Sequence, residues 1–315
     1  MAKFILSAFA DEYSADITEQ IAVLGELGYT HIEPRFVNGK NIATLTEGEA
    51  VGLAAALDAA GISVYSIGSP IGKISLDDDF SAHLQLAENC FRVANVLGAT
   101  RVRVFSFYLP DGVERDAAFP KVCEKMTALI DLAWKYGITL CHENEARIFG
   151  ESPADCRRLL DAMGGRLRAV FDMGNFVLDG YEPIAAYESL SPYVDYFHIK
   201  DALYERAIVP PGKGEAMIAE ILSRHLARQT ELEHTRATTP AVCTGNCASC
   251  DNHRSTDTVI TLEPHLESFG GLNQLTDSTF KNPYVFESGK HAFLAGARSL
   301  ATVLAEVLAK HPESD

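Results

Sequence analysis

The stretch FPKVCEKMTALIDLAWKYGITLCHENE, residues 119–145, changes character twice. Up to Tyr136 its apolar residues recur at helical spacing, and Gly137 supplies a helix stop. The run ITLC then reads as a buried strand. His142, Glu143, Asn144 and Glu145 follow without a break. A strand that ends in two carboxylates, an imidazole and an amide has reached either solvent or a site.

The same unit recurs along the chain. Strands are expected over 4–9, 30–35, 63–68, 101–107, 138–143, 168–173, 194–199 and 259–264. Helical patterns lie between most of them. ADITEQIAVLGELG closes on Gly28, FSAHLQLAENCFRVANVLG closes on Gly98, and SPADCRRLLDAMGG opens with an N-cap serine followed by proline. Strand, helix, glycine and strand in repetition is the pattern of parallel βαβ units. Eight such units in a chain of 315 residues suit an α/β (β/α)8 TIM barrel better than an open doubly wound sheet. A dinucleotide-binding sheet would need a glycine-rich turn after the first strand, and SAFADEYSAD has none. The expectation is one domain over 1–315, closed by the helix KHAFLAGARSLATVLAEVLAK. One interval, from FHIKD to ITLEP, is more than twice its neighbours. The excess, 230–257, is polar, turn-rich and unlike a helix, and is read as an insertion between helix 7 and strand 8.

A hydrophobic content of 47% is enough for a large core, and the formal net charge of −16 argues against a phosphate-backbone partner. It is also the wrong sign for an anionic membrane surface. No run approaches the length of a membrane span, and MAKFILSAFADE is too short for a secretory leader. Seven cysteines spread along a long chain suit free thiols in a reducing cytoplasm. The expected partner is a small molecule, with neither nucleic acid nor membrane.

Active sites of such barrels form at the C-terminal ends of the strands. Strands five to eight end here in Glu143, Asp172, His198 and Glu263. Any one of them alone is more often a solvated or hydrogen-bonded residue. Together they would repel one another unless a cation offset their charge. Three carboxylates and one imidazole suit Mn²⁺, Mg²⁺, Co²⁺ or Zn²⁺.

The segments HENEARIFGES, FDMGNF, YFHIKD, PPGKGE and ITLEPHL, with SAFADE, IEPR and GSPIGK, resemble the successive motifs of the xylose-isomerase-like TIM-barrel family. That family holds sugar phosphate isomerases and epimerases, inosose dehydratases and relatives of endonuclease IV. The resemblance implies one divalent cation held by Glu143, Asp172, His198 and Glu263. It also implies that Glu143 and Glu263 act as an acid/base pair on opposite faces of a sugar, cyclitol or sugar phosphate. Proton abstraction α to a carbonyl would then pass through a metal-stabilised enediolate. The same site could expel a β-hydroxyl as an inosose-type dehydratase does, or hold a sugar without turnover. A DNA-repair endonuclease would need a basic groove, against the net charge. Asn175 stands where many relatives carry a histidine, and an amide cannot shuttle protons.

Candidate substrate contacts are Glu33, Lys73, Asn144, Asn175, Lys200 and Arg206. Lys200 has Asp201 as an alternative partner, Glu33 has Arg35, and Glu145 reads as solvated. Arg206 lies with the turn PPGKG on the seventh βα loop. In the insertion, Cys243, Cys247, Cys250 and His253 have spacings that fit a structural Zn²⁺ site, an iron–sulfur site, or a turn-rich loop that holds nothing. A helix-to-strand loop lies on the bottom face, away from the sugar chemistry. A homo-oligomer, dimer or tetramer, is compatible with a barrel of this kind.

Overall fold

Eight chain segments surround the barrel axis. They are β1 (Phe4–Ala8), β2 (His31–Ile32), β3 (Ser66–Gly68), β4 (Arg101–Val104), β5 (Thr139–Glu143), β6 (Leu167–Asp172), β7 (Val194–Ile199) and β8 (Thr258–Leu262). Seven of them form one curled parallel sheet in the order β1–β8–β7–β6–β5–β4–β3. This computed structural model describes residues 4–238, 257–267 and 282–311.

The second strand closes the ring by a different route. His31–Ile32 pairs with Ser63–Val64. Beyond that pair, Glu33 N donates to Ala8 O at 3.2 Å and Gly68 N donates to Pro34 O at 3.1 Å. The strand expected over 30–35 is cut short because Pro34 has no N–H to give to a ladder. The fourth strand is also shorter than its apolar run. After Val104 the chain leaves the sheet, and Phe105 N and Phe107 N bond Ile71 O (2.8 Å) and Gly72 O (3.0 Å) instead. Gly72 is required there: at φ +88°, a Cβ would lie 2.0 Å from Phe105 O.

The helices start and stop where their signals stand. Asp16 caps Ile17–Leu27 by accepting from Thr18 N, and Gly28 ends it at φ 71°. Ser152 accepts from Asp155 N, with Pro153 opening the next helix. The helix Ile218–Thr238 corrects the insertion reading, because the first part of 230–257 continues it. Cys243, Cys247, Cys250 and His253 lie outside the described residues.

Alternation along each strand sorts residues between the helix layer and the barrel interior. Cys141, Val170, Tyr196 and Val259 pack together with Ile5 and Tyr65 as an interior layer. Two residues further along three of the same strands stand Glu143, Asp172 and His198, and Glu263 is the next but one after Thr261. The polar cluster therefore rests on an apolar floor. Gly289–Lys310 is long and apolar enough, by length and composition alone, to cross a membrane. Here it is a core helix, burying Phe293, Ala297, Leu300 and Leu304.

Candidate active site

One ligand atom from each of Glu143, Asp172, His198 and Glu263 lies within 4.8 Å of the other three. All four side chains are buried. His198 Nδ1 faces Glu143 Oε1 at 2.9 Å and Glu263 Oε2 at 3.4 Å. Asp172 Oδ1 accepts from Asn175 N (2.9 Å), capping Met173–Leu178, while Oδ2 accepts from Lys200 Nζ at 3.0 Å. Among the described residues Glu263 Oε2 has no hydrogen-bond partner, although it is buried. Its nearest cationic neighbours, His198 Nδ1 at 3.4 Å and Lys200 Nζ at 3.5 Å, form long ion pairs with it, which leaves a buried carboxylate oxygen weakly compensated.

Six buried carboxylates (Asp11, Glu12, Glu33, Glu143, Asp172 and Glu263) share this end with three permanent cations, Arg35, Arg103 and Lys200. Arg35 spans three of the acids: Asp11 at 3.0 Å, Glu12 at 3.3 Å and Glu263 at 2.7 Å. Arg103 Nη1 holds Glu143 Oε2 at 2.5 Å. Protons absorb much of the remaining negative charge. Burial pushes Glu12 up to about 8 despite Arg35 beside it. Burial would lower His198, but the charges of Glu143 and Glu33 outweigh it and hold the imidazole well above its usual value. Burial likewise opposes the charged form of Glu143, yet His198 and Arg103 keep it well below the usual carboxylate range. A divalent cation would replace those protons. Three carboxylate oxygens and one imidazole nitrogen fit Mn²⁺, Mg²⁺, Co²⁺ or Zn²⁺.

The remaining sequence-derived candidates divide. Lys200 joins the cluster, bonding Asp172 and Asn175 Oδ1 (3.0 Å) rather than Asp201. Asp201 instead accepts from Gly212 N and Gly214 N, tying down the PPGKG turn. Asn144 is placed otherwise than expected. Its amide grips the main chain of Asp172 in both directions, at 2.9 and 3.1 Å, so both of its polar ends are engaged in holding an acid of the cluster. Asn175 is bound within the same network through Asn144 O and Lys200. Glu33 is buried against His198, Tyr196 and Thr261, and of its two expected roles the pairing with Arg35 is not the one the structure shows. Lys73 stands at the rim, 2.9 Å from Glu145, which is therefore paired rather than simply solvated. Arg206 lies outside the cluster, half exposed and donating to Leu178 O.

Sequence reasoning missed Asp11, Glu12, Arg103 and His265. The signal for Arg103 was available: in RVRV, alternation sends both arginines to one face, and a closed barrel has no solvent face there. His265 lies 3.2 Å from Glu263 and 3.4 Å from Glu12, on a backbone with φ 47°. Such left-handed non-glycine residues concentrate where function constrains the chain, and Phe107, Arg147 and Arg206 share this feature on the loops after β4, β5 and β7.

The profile of the xylose isomerase-like TIM barrel family matches residues 21–229. The chain belongs to that family. No curated protein matches the chain. Solved structures do. The probable 3-DHS dehydratase AsbF from Bacillus anthracis is 14% identical with a TM-score of 0.64, over 96% of this chain and 99% of that one. The 3-keto-D-glucoside 4-epimerase YcjR from E. coli is 15% identical with a TM-score of 0.64, over 97% and 100%. A xylose isomerase-like TIM barrel protein from Mycobacterium smegmatis, solved in complex with magnesium, is 18% identical with a TM-score of 0.64, over 98% of each chain. At these identities the likeness is one of fold.

The clamp on Asp172 carries a prediction of its own. Asn144→Ala removes the acceptor of the buried Asp172 N–H and a donor to its C=O, and should lower stability by about 1–3 kcal/mol in urea unfolding. A change below 0.5 kcal/mol would show that water replaces the amide and that Asn144 positions nothing.

Proposed function

We propose that this chain is a divalent-metal-dependent isomerase or epimerase of a small sugar, sugar phosphate or cyclitol. The observation that carries the reading is the convergence of Glu143, Asp172, His198 and Glu263 around one point. Bound there, the cation would polarise a substrate carbonyl and its neighbouring hydroxyl. In this reading Glu143, kept ionised by His198 and Arg103, and Glu263, kept ionised by Lys200, His265 and His198, would take a proton α to the carbonyl and return it. Arg35, Arg103 and Lys200 are committed to carboxylates, which favours an uncharged sugar or cyclitol at the reacting end over a phosphate.

A dehydratase is the second reading. Burial pushes Glu12 up to about 8 beside His265 and Glu263, which would suit it to protonate a leaving hydroxyl. Its fold neighbour from B. anthracis is described as a dehydratase.

The test is element-resolved metal stoichiometry after Mn²⁺ loading and desalting, on the native chain beside Asp172→Ala. One Mn²⁺ per native chain, lost in the variant, is expected. Substrate screening follows, with products weighed: conserved mass supports isomerisation or epimerisation, and loss of water supports dehydration. No Mn²⁺, Co²⁺, Zn²⁺ or titratable Mg²⁺ dependent on Asp172 would move the sugar-binding reading ahead.

A further inference from the structure

We propose that Glu33 is a positioning residue for the metal: its carboxylate accepts a hydrogen bond from the Nε2–H of His198 and thereby leaves the Nδ1 lone pair for the cation. This rests on the reading that Glu143, Asp172, His198 and Glu263 bind one.

Glu33 follows β2 directly and is buried. Three donors hold it. Tyr196 OH meets Oε1 at 2.8 Å, Thr261 Oγ1 meets Oε2 at 2.7 Å, and His198 Nε2 meets Oε2 at 3.1 Å. The two hydroxyls come from β7 and β8, so adjacent strands brace the carboxylate beneath the ligand cluster. Tyr196 is itself braced by Ser66 Oγ on β3 at 2.9 Å. Among the described residues Glu33 has no guanidinium or ammonium in hydrogen-bond contact, which makes its burial expensive, and an amide could satisfy the hydroxyls as well. What an amide would not supply is a full negative charge behind an imidazole.

His198 stands between two sets of carboxylates. Nε2 faces Glu33, and Nδ1 faces Glu143 and Glu263. A neutral imidazole carries one N–H. If Nε2 holds it, Glu33 is satisfied and the Nδ1 lone pair enters the ligand set. The other tautomer would set a lone pair against the Glu33 carboxylate and remove the nitrogen ligand. Glu33 thus selects the tautomer and makes the nitrogen a better donor. The ring plane is fixed as well: Phe9 meets it edge-on at 5.0 Å between centroids and Tyr196 at 5.4 Å.

The test compares the native chain, Glu33→Gln and Thr261→Val, each stripped with chelator. Mn²⁺ affinity is read by calorimetry, and the His198 tautomer by ¹⁵N spectra of histidine-labelled, Zn²⁺-loaded protein. Glu33→Gln should weaken Mn²⁺ binding roughly 10- to 100-fold. Thr261→Val should weaken it in the same direction, and native His198 should be protonated at Nε2. If the native chain binds Mn²⁺ and Glu33→Gln binds it equally well, the positioning role is overturned and the metal reading stands. Should Glu33→Gln fail to fold, Thr261→Val and the native tautomer decide: unchanged affinity, or a proton on Nδ1, overturns the inference. A native chain that binds no metal overturns the metal reading first, and Glu33's role with it.

Discussion

Glu143→Gln should fold, and should lose carbon-bound proton exchange by roughly 100- to 10,000-fold, the range that positioned acid–base groups contribute. The experiment incubates native and variant protein in D₂O with a substrate the native chain converts. Deuterium entering the carbon next to the carbonyl is then followed. Glutamine keeps an oxygen that can ligate but cannot accept the proton, so measuring bound metal separates the two roles of this residue. Exchange lost with metal retained identifies proton transfer; both lost identifies ligation. Exchange within threefold of native would place the base elsewhere, with Glu263 the next candidate. Some stability is lost too, because Arg103, 2.5 Å away and buried, then faces a neutral partner.

The four residues of the cluster were legible because each is a local feature, a polar residue at the end of an apolar β run. Glu143 after ITLC and Glu263 after VITL need no knowledge of the rest of the chain. Their partners are distant in sequence. Arg35 meets Glu263, and Glu33 meets Thr261, each across 228 residues. Nothing near IEPR says that its glutamate turns into the barrel while its arginine reaches Asp11, Glu12 and Glu263. Pairing Glu33 with Arg35 was reasonable, since both flank Pro34. Yet the residues two apart diverge once the chain leaves the ladder. The same limit explains Asn144: its alternatives were a substrate hydroxyl or a neighbouring backbone, and only the approach of β6 to β5 decides. The helix past residue 230 was missed for another reason. The turn-rich composition of 239–257 was extended backward over TELEHTRAT, whose Glu and Leu are good helix formers.

Arg35→Met should cost about 3–5 kcal/mol, the range seen when one partner of a buried ionic network is removed. Arg35 reaches Asp11 through Nε and Nη2 (3.0 and 3.2 Å), Glu12 through Nη2 (3.3 Å) and Glu263 through Nη1 (2.7 Å). Methionine fills the volume and leaves Asp11 and Glu12 to be neutralised by protons, while Glu263 keeps Lys200 and His198 beside it. That requirement gives the loss a pH dependence in metal-free protein. Even with Arg35 present, Glu12 titrates at about 8 when folded, against an ordinary 4.5. The folded state therefore holds more protons than the unfolded one between those values. Glu12's contribution is fully present below about 4.5 and is lost as pH rises through about 8. Removing the guanidinium withdraws the main charge opposing this, so the gap between native and variant should widen from pH 5 to pH 8 in urea unfolding. Arg35→Lys should not restore the native value, since one ammonium cannot span three acids in the geometry of a guanidinium fork. Full restoration by lysine, or a methionine variant within 1 kcal/mol of native at pH 8, would mean that Asp11, Glu12 and Glu263 are neutralised without Arg35. The acidic excess assigned to the cation would then have to be sought in fewer residues.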